Sequence, residues 1–216
     1  MKTKLFLLSV TVMGLATSCQ QKPESQPLAD EVQYVDPFIG TGFHGHTFPG
    51  ATRPYAMVQL SPDTHIMGWD ASSGYHYDDH QIYGFSHTHL SGTGIGDLGD
   101  IMLLPFSGGD SIKPVATFKK ETEKATPGYY AVRLENLGVN VELTSTDRVG
   151  FHRYTFDNPK DRRVMLDLGH VLQPNWGHKL VSNDYQLVND STVEGTYKTQ
   201  GWAHFHSVSY RVTFSE

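Results

Sequence analysis

The stretch Tyr130-Ala131-Val132-Arg133-Leu134-Glu135-Asn136-Leu137-Gly138-Val139-Asn140-Val141-Glu142-Leu143-Thr144 decides the fold class. Tyr130, Val132 and Leu134 alternate with Ala131, Arg133 and Glu135. Val139, Val141 and Leu143 alternate with Asn140, Glu142 and Thr144. A period of two puts one set of side chains into a core and the other into water. The linker Asn136-Leu137-Gly138 is short and holds a glycine, so the two runs are expected to pair as a hairpin.

The same reading extends outward in both directions. Val164, Leu166 and Leu168 alternate, as do Val208, Tyr210 and Val212. Met57–Leu60 and Ile101–Leu104 are shorter and uniformly apolar, the pattern of strands buried on both faces. No long apolar stripe at helical spacing occurs after the first residues. Short strands separated by glycine-rich turns predict an all-β fold, an antiparallel sandwich with little helix.

The first residues read as an export signal. Lys2 and Lys4 precede an apolar run from Leu5 to Ala16, then Thr17, Ser18 and Cys19. The run is too short for a membrane-spanning helix, which takes roughly 20 residues, and fits the apolar part of a signal peptide. Residues 1–18 are therefore read as a lipoprotein signal peptide, and Cys19, the only cysteine, as its lipidation site. An ordinary signal peptide with an incidental cysteine is the alternative. One cysteine allows no internal disulfide. Residues 19–31 are polar with Pro23 and Pro27 and read as a flexible tether. Residues 32–216 read as the folded domain. The closing Thr213-Phe214-Ser215-Glu216 follows directly on a strand pattern, which suggests a truncated end. The net charge of −6 argues against a nucleic-acid or anionic-lipid partner, so membrane contact is expected through lipid on Cys19 alone.

The chemistry concentrates between Asp36 and Asp100, which holds seven of the 12 histidines. The pairs His44-Gly45-His46 and His87-Thr88-His89 would, if extended, each send two imidazoles to one side, with Asp97 or Asp100 as further metal ligands. A His-rich metal-binding protein is thus one reading. His204-Phe205-His206 has the same spacing in an evident strand and reads as ordinary. Asp70, Asp78, Asp79, Asp97 and Asp100 offer carboxylates for an acid–base pair, though most sit in turn contexts that favour aspartate structurally. There is no Gly-x-Ser-x-Gly elbow. The glycines of Gly92-Thr93-Gly94-Ile95-Gly96 lack the following helix of a phosphate loop. Sugar recognition fits this composition: aromatic platforms meet apolar sugar faces and short polar groups meet hydroxyls. Trp69-Asp70 supplies both, and Tyr75, Tyr77, His87 and His89 add rings and donors. A core tryptophan and structural tyrosines are the competing readings.

Five segments carry a resemblance: Tyr34–Gly42, Gly45–Ala51, Met57–Thr64, Ser73–Tyr77 and Ile82–Gly94 with Asp97 to Asp100. Together they closely resemble glycoside hydrolase family 92. The resemblance implies a sandwich of the galactose-mutarotase-like, supersandwich type. It implies a bacterial lipoprotein of the periplasm or outer-membrane surface, as in gut Bacteroidetes. The implied activity is that of an inverting, calcium-dependent exo-α-mannosidase acting on mannose-containing glycans, N-glycans or mannans. In such enzymes the sandwich precedes an (α/α)6 catalytic domain that carries the acid, the base and the calcium ligands. That implies no catalytic residue and no metal site in this chain, which is expected to be inactive alone and to expose an apolar patch where the barrel would sit. Trp69, Asp70, His87 and His89 are the implied substrate-binding residues. Phe43 stands where relatives commonly have glycine, and Ser73 and Ile95-Gly96 where cysteine and serine are frequent. A stand-alone carbohydrate-binding lipoprotein remains the other sugar reading.

Overall fold

The computed structural model describes residues 30–108 and 114–215, so Cys19, the residues read as a signal peptide and most of those read as a tether lie outside the described residues. Among these residues there is no α-helix, only four short 3-10 turns, and fourteen strands that pair antiparallel. The all-β expectation holds.

The decisive stretch forms β8 (Tyr129–Leu134) and β9 (Val139–Ser145). They pair from Leu134 opposite Val139 to Tyr129 opposite Thr144. Tyr130, Val132, Leu134, Val139, Val141 and Leu143 are all buried. Gly138 closes the turn at φ 65°, its N–H bonded to Leu134 O at 3.1 Å. Leu137 is more than a linker, because its side chain enters the core. With β7 (Lys124–Thr126) and β10 (Gly150–Phe156), these strands make a sheet in the order β10-β9-β8-β7.

The facing sheet has the order β1-β2-β4-β5-β11. Its strands are β1 (Ala51–Thr52), β2 (Gln59–Asp63), β4 (Gly84–Ser86), β5 (Met102–Phe106) and β11 (Arg163–Asp167). β5 is buried along its length, as its apolar run predicts. The two apolar runs begin later than read, however. Met57 is half exposed and its N–H bonds Asp147 O, so β2 starts at Gln59. Ile101 is held at φ 55°, so β5 starts at Met102. β11, at the sheet edge, is partly buried throughout instead of alternating.

Val58, Leu60, Phe85, Leu104 and Phe106 of the five-stranded side meet the β8–β9 side chains in one core. A small sheet of β3 (Gln81–Ile82) and β6 (Ala116–Thr117) adds Ile82, Ala116 and Phe118 at one end. Glu123 is buried there. Its carboxylate accepts hydrogen bonds from Tyr75 at 2.9 Å and Tyr130 at 2.6 Å, and pairs with Lys120 at 3.2 Å. Tyr75 is therefore structural. A third sheet, β12 (Lys179–Asn189), β13 (Thr192–Gln200) and β14 (His206–Thr213), extends from the sandwich.

Leu143→Ala should cost about 2–5 kcal/mol through lost burial and the residual cavity. Val149→Ala, at a half-exposed turn residue, should stay within about 0.5 kcal/mol of the parent. Urea unfolding of the two variants checks the assignment of core and surface.

Candidate functional site

The loops before β1 and after β2 build the exposed cluster around Trp69. In the first loop, an ideal Cβ on Gly45 would lie 2.0 Å from Gly40 O, so only glycine permits this closure. The flanking Phe43 and His46 adopt left-handed angles, φ 51° and 55°, which non-glycine residues resist.

Trp69 opens a 3-10 turn, Trp69–Ala71, whose preceding residue Gly68 has φ 98° and ψ 155°. Only glycine adopts such angles readily. Gln173 supports this loop from below: its Nε2 donates to Gly68 O at 2.6 Å and its backbone N–H to Ile66 O at 2.8 Å. The resulting indole is 49% exposed. The His46 ring meets it edge-on at 4.4 Å between centroids, and the His44 ring lies at 5.0 Å. His44 Nδ1 donates to Asp70 Oδ1 at 2.5 Å, and His46 Nε2 lies 3.9 Å from the same oxygen. The hydrogen bond from His44 holds the Asp70 carboxyl below its usual range. Asp70 thus stays an acceptor for incoming hydroxyls. Phe43 stacks on His44 at 4.0 Å and is itself exposed.

The structure brings Trp69 and Asp70 together with His44 and His46, but places His87 and His89 elsewhere. His89 is buried. Its Nε2 lies 2.8 Å from Asp63 Oδ1 and its Nδ1 2.7 Å from Gln59 O. Both nitrogens face acceptors, a pattern that a charged ring satisfies fully. His170 Nε2 bonds the other Asp63 oxygen at 2.8 Å. His87 donates from Nδ1 to Ile101 O at 2.6 Å, which leaves Nε2 as an acceptor. His152 Nε2 lies 3.1 Å away and supplies the proton. His152 Nδ1 in turn accepts from the Tyr154 hydroxyl at 2.7 Å. Each proton in this chain is accounted for with both rings neutral. Burial holds both rings below the ordinary histidine range, His152 well below it. The structure thus places His87 and His89 in internal polar packing, apart from Trp69 and Asp70, with the groups that engage them inside the fold.

The remaining candidates sort the same way. Asp97 is buried, bonded by Ala203 N–H at 2.9 Å and 3.2 Å from His178. Asp100 is buried and bonded by Thr88 at 2.6 Å and His206 at 2.8 Å. His206 begins β14, while His204 precedes that strand, so the supposedly ordinary pair is split and one member is an ion-pair partner. Asp79 binds Thr64 and His65. Tyr77 is exposed, its ring under the Lys120 ammonium at 4.7 Å. Among the described residues, no group of three or more His, Cys, Asp or Glu is placed to hold a metal ion. Gln173 was not singled out by sequence, since nothing local in Leu172-Gln173-Pro174 signals its contact with a loop 105 residues away.

Comparison with known proteins places this geometry. Residues 34–216 match the glycosyl hydrolase family 92 N-terminal domain. An uncharacterized secreted glycosidase of Arthroderma benhamiae is 32% identical over 176 residues, 74% of this chain and 22% of its own length. A family GH92 α-mannosidase of Bacteroides thetaiotaomicron, solved in complex with mannoimidazole, is 37% identical with a TM-score of 0.81. That match covers 86% of this chain and 25% of the mannosidase. A family GH92 inverting mannosidase from Bacteroides thetaiotaomicron VPI-5482 is 21% identical with a TM-score of 0.59, over 89% of this chain and 30% of its own, and shares the fold. The chain spans about a quarter of the length of these relatives.

Two outcomes follow from the geometry. Gly68→Ala should destabilise by about 1–3 kcal/mol through backbone strain alone, since no atom lies within 4 Å of the added Cβ; urea unfolding measures it. His87 and His152 should keep neutral-ring NMR shifts at about pH 6, where a free histidine is mostly charged. A ring whose pKa falls on folding stabilises above 6.5 and loses that contribution as the pH drops, because the unfolded chain binds the proton first. Titration of either ring near 6.5 would refute the neutral chain.

Proposed function

This chain belongs to glycosyl hydrolase family 92, as its N-terminal domain, and on that footing we propose that it forms one wall of the mannose pocket of an exo-acting α-mannosidase. The observation that carries this reading is the exposed Trp69–Asp70 pair with His44 fixed against its carboxylate. A pyranose has apolar C–H faces that stack on an indole, and hydroxyls that donate to an ionised carboxylate. Trp69 supplies the platform and Asp70 the acceptor. His44 holds Asp70 in place, so little side-chain entropy remains to be lost when the sugar arrives.

Hydrolysis with inversion needs an acid and a base about 6.5–9.5 Å apart across the scissile bond. Asp63, Asp97, Asp100 and Glu123 are buried and already hydrogen-bonded, which makes them poor candidates for either role. In this proposal the acid, the base and any calcium belong to polypeptide that the relatives carry beyond the matched quarter. The substrates are mannose-containing glycans, N-glycans or mannans. Cys19 carries the lipid that holds the protein at the periplasmic or outer-membrane surface.

The 216-residue chain alone should release no 4-nitrophenol from its α-mannoside and should bind methyl α-mannoside too weakly for calorimetry. Joined to a relative's remaining domain, it should gain calcium-dependent activity. Asp70→Asn should then lower kcat/KM by about 10- to 100-fold, the loss of one charge-assisted hydrogen bond. Hydrolysis by the isolated chain would sink the division of labour, and tight mannoside binding by it would favour a stand-alone binding protein.

A further inference from the structure

We propose that Phe43 forms a second sugar subsite beside Trp69, so that the surface takes two linked pyranoses instead of one. This rests on the reading of Trp69 and Asp70 as a mannose wall and extends it to the next sugar of the glycan. Two costs meet at Phe43. Its backbone is left-handed at φ 51°, an angle that residues other than glycine resist. Its ring is 78% exposed, so burial of a large apolar group does not offset the strain. A strained residue that gains so little burial points to function.

The backbone that carries the ring is held in place. Tyr77 N–H donates to Thr41 O at 2.9 Å, and Gly45 N–H to Gly42 O at 3.2 Å. His76 Nδ1 accepts from Asp78 N–H at 3.3 Å, so the ring proton sits on Nε2, which donates to Phe43 O at 3.2 Å. An ideal Cβ on Gly42 would lie 3.3 Å from Tyr77 Cβ, so the loop packs closely on the Ser73–Tyr77 segment. Phe43 is thus presented outward on fixed backbone, as Trp69 is. Little of that backbone remains to be ordered when a ligand arrives.

The position of the ring names the ligand. Phe43 and His44 have centroids 4.0 Å apart, and those of His44 and Trp69 are 5.0 Å apart. The three rings form one row, with the two carbon-rich platforms on either side of the imidazole. Two linked pyranose rings reach across such a gap, and each has an apolar C–H face to set on an aromatic ring. Asp70, bonded to the middle ring, supplies the acceptor for hydroxyls of the sugar on Trp69. Phe43 brings no polar atom of its own side chain. The second subsite therefore selects for chain length and tolerates different hydroxyl patterns in the second sugar.

NMR of the 216-residue chain carrying Cys19→Ser tests this, with methyl α-mannoside and an α-linked mannobiose titrated to high millimolar concentrations. The monosaccharide should shift the Trp69 indole N–H and leave the Phe43 ring unmoved. The disaccharide should shift both, with an affinity about three- to tenfold higher. Phe43→Gly should abolish that gain and leave the methyl α-mannoside titration unchanged. It should melt no lower than the parent, because glycine adopts the left-handed angle freely. Phe43→Trp should keep the gain. A disaccharide that shifts Trp69 but not Phe43, or that binds no better than the monosaccharide, would overturn the second subsite and leave the wall standing. No shift at Trp69 with either sugar would overturn the wall and the subsite together. A lower melting point in Phe43→Gly alongside the lost gain would make the ring a structural prop and overturn the subsite as well.

Discussion

The rest of the structure depends on Asp63, a carboxylate with no exposure at the end of β2. An ionised carboxylate buried without partners costs several kcal/mol. Here each oxygen has its own imidazole, His89 on one side and His170 on the other. Burial alone would raise the Asp63 carboxyl. The charges and hydrogen bonds of the two rings outweigh burial and hold it well below the usual carboxylate range. A carboxyl shifted this way stabilises the fold above its ordinary value of 3.8 and loses that contribution only in acid. The bond also has an architectural consequence. His170 lies in the connection after β11, and its carbonyl accepts the Tyr197 hydroxyl of β13. One carboxylate therefore couples the five-stranded sheet to the connection and, through it, to the third sheet.

Asp97 and Asp100 lie nearby against single imidazoles, Asp97 3.2 Å from His178 and Asp100 hydrogen-bonded by His206 at 2.8 Å. Together the three aspartates set the 168–178 connection and the start of β14 against β2, through Asp63, and against the glycine-rich loop that ends at Asp100. Gln173 sits inside that fixed connection and reaches Gly68 O. The angles at Phe43, His46 and Gly68 are of a kind that costs about 1–3 kcal/mol each for ordinary residues. They persist because the surroundings leave the loops little choice. The exposed Trp69–Asp70 pair is thus carried on backbone anchored by buried carboxylate–imidazole contacts.

How much of this was legible in sequence depends on the range of the interaction. The β8–β9 hairpin was readable because period two and a glycine turn are local facts, and register follows from them. The starts of β2 and β5 were misread by one or two residues because Asp147 O and the left-handed Ile101 decide them, and neither shows in hydrophobicity. The surroundings of the histidines were illegible for the same reason. His-x-His spacing tells which side a ring leaves the chain, but not what waits there. His44 and His46 meet an exposed indole and Asp70; His87 and His89 meet internal acceptors. The partner of Asp63 that completes its pairing is 107 residues distant, and no pattern in a single sequence points to it. Trp69 and Asp70 could be singled out because an aromatic ring beside a carboxylate in a glycine-rich loop is itself a local signature; their contacts with His44 and His46 could not.

The surface around Trp69 differs in physical kind from the sheets that carry it. The sheets are regular, and their side chains alternate between core and solvent. Around Trp69 the chain turns through left-handed angles at Phe43 and His46 and a glycine-only angle at Gly68, and Gln173 holds the backbone from beneath. A regular strand could not follow such turns. Irregular backbone of this kind keeps one shape only where neighbouring structure leaves it little choice, and here that structure is the connection held to Asp63 through His170.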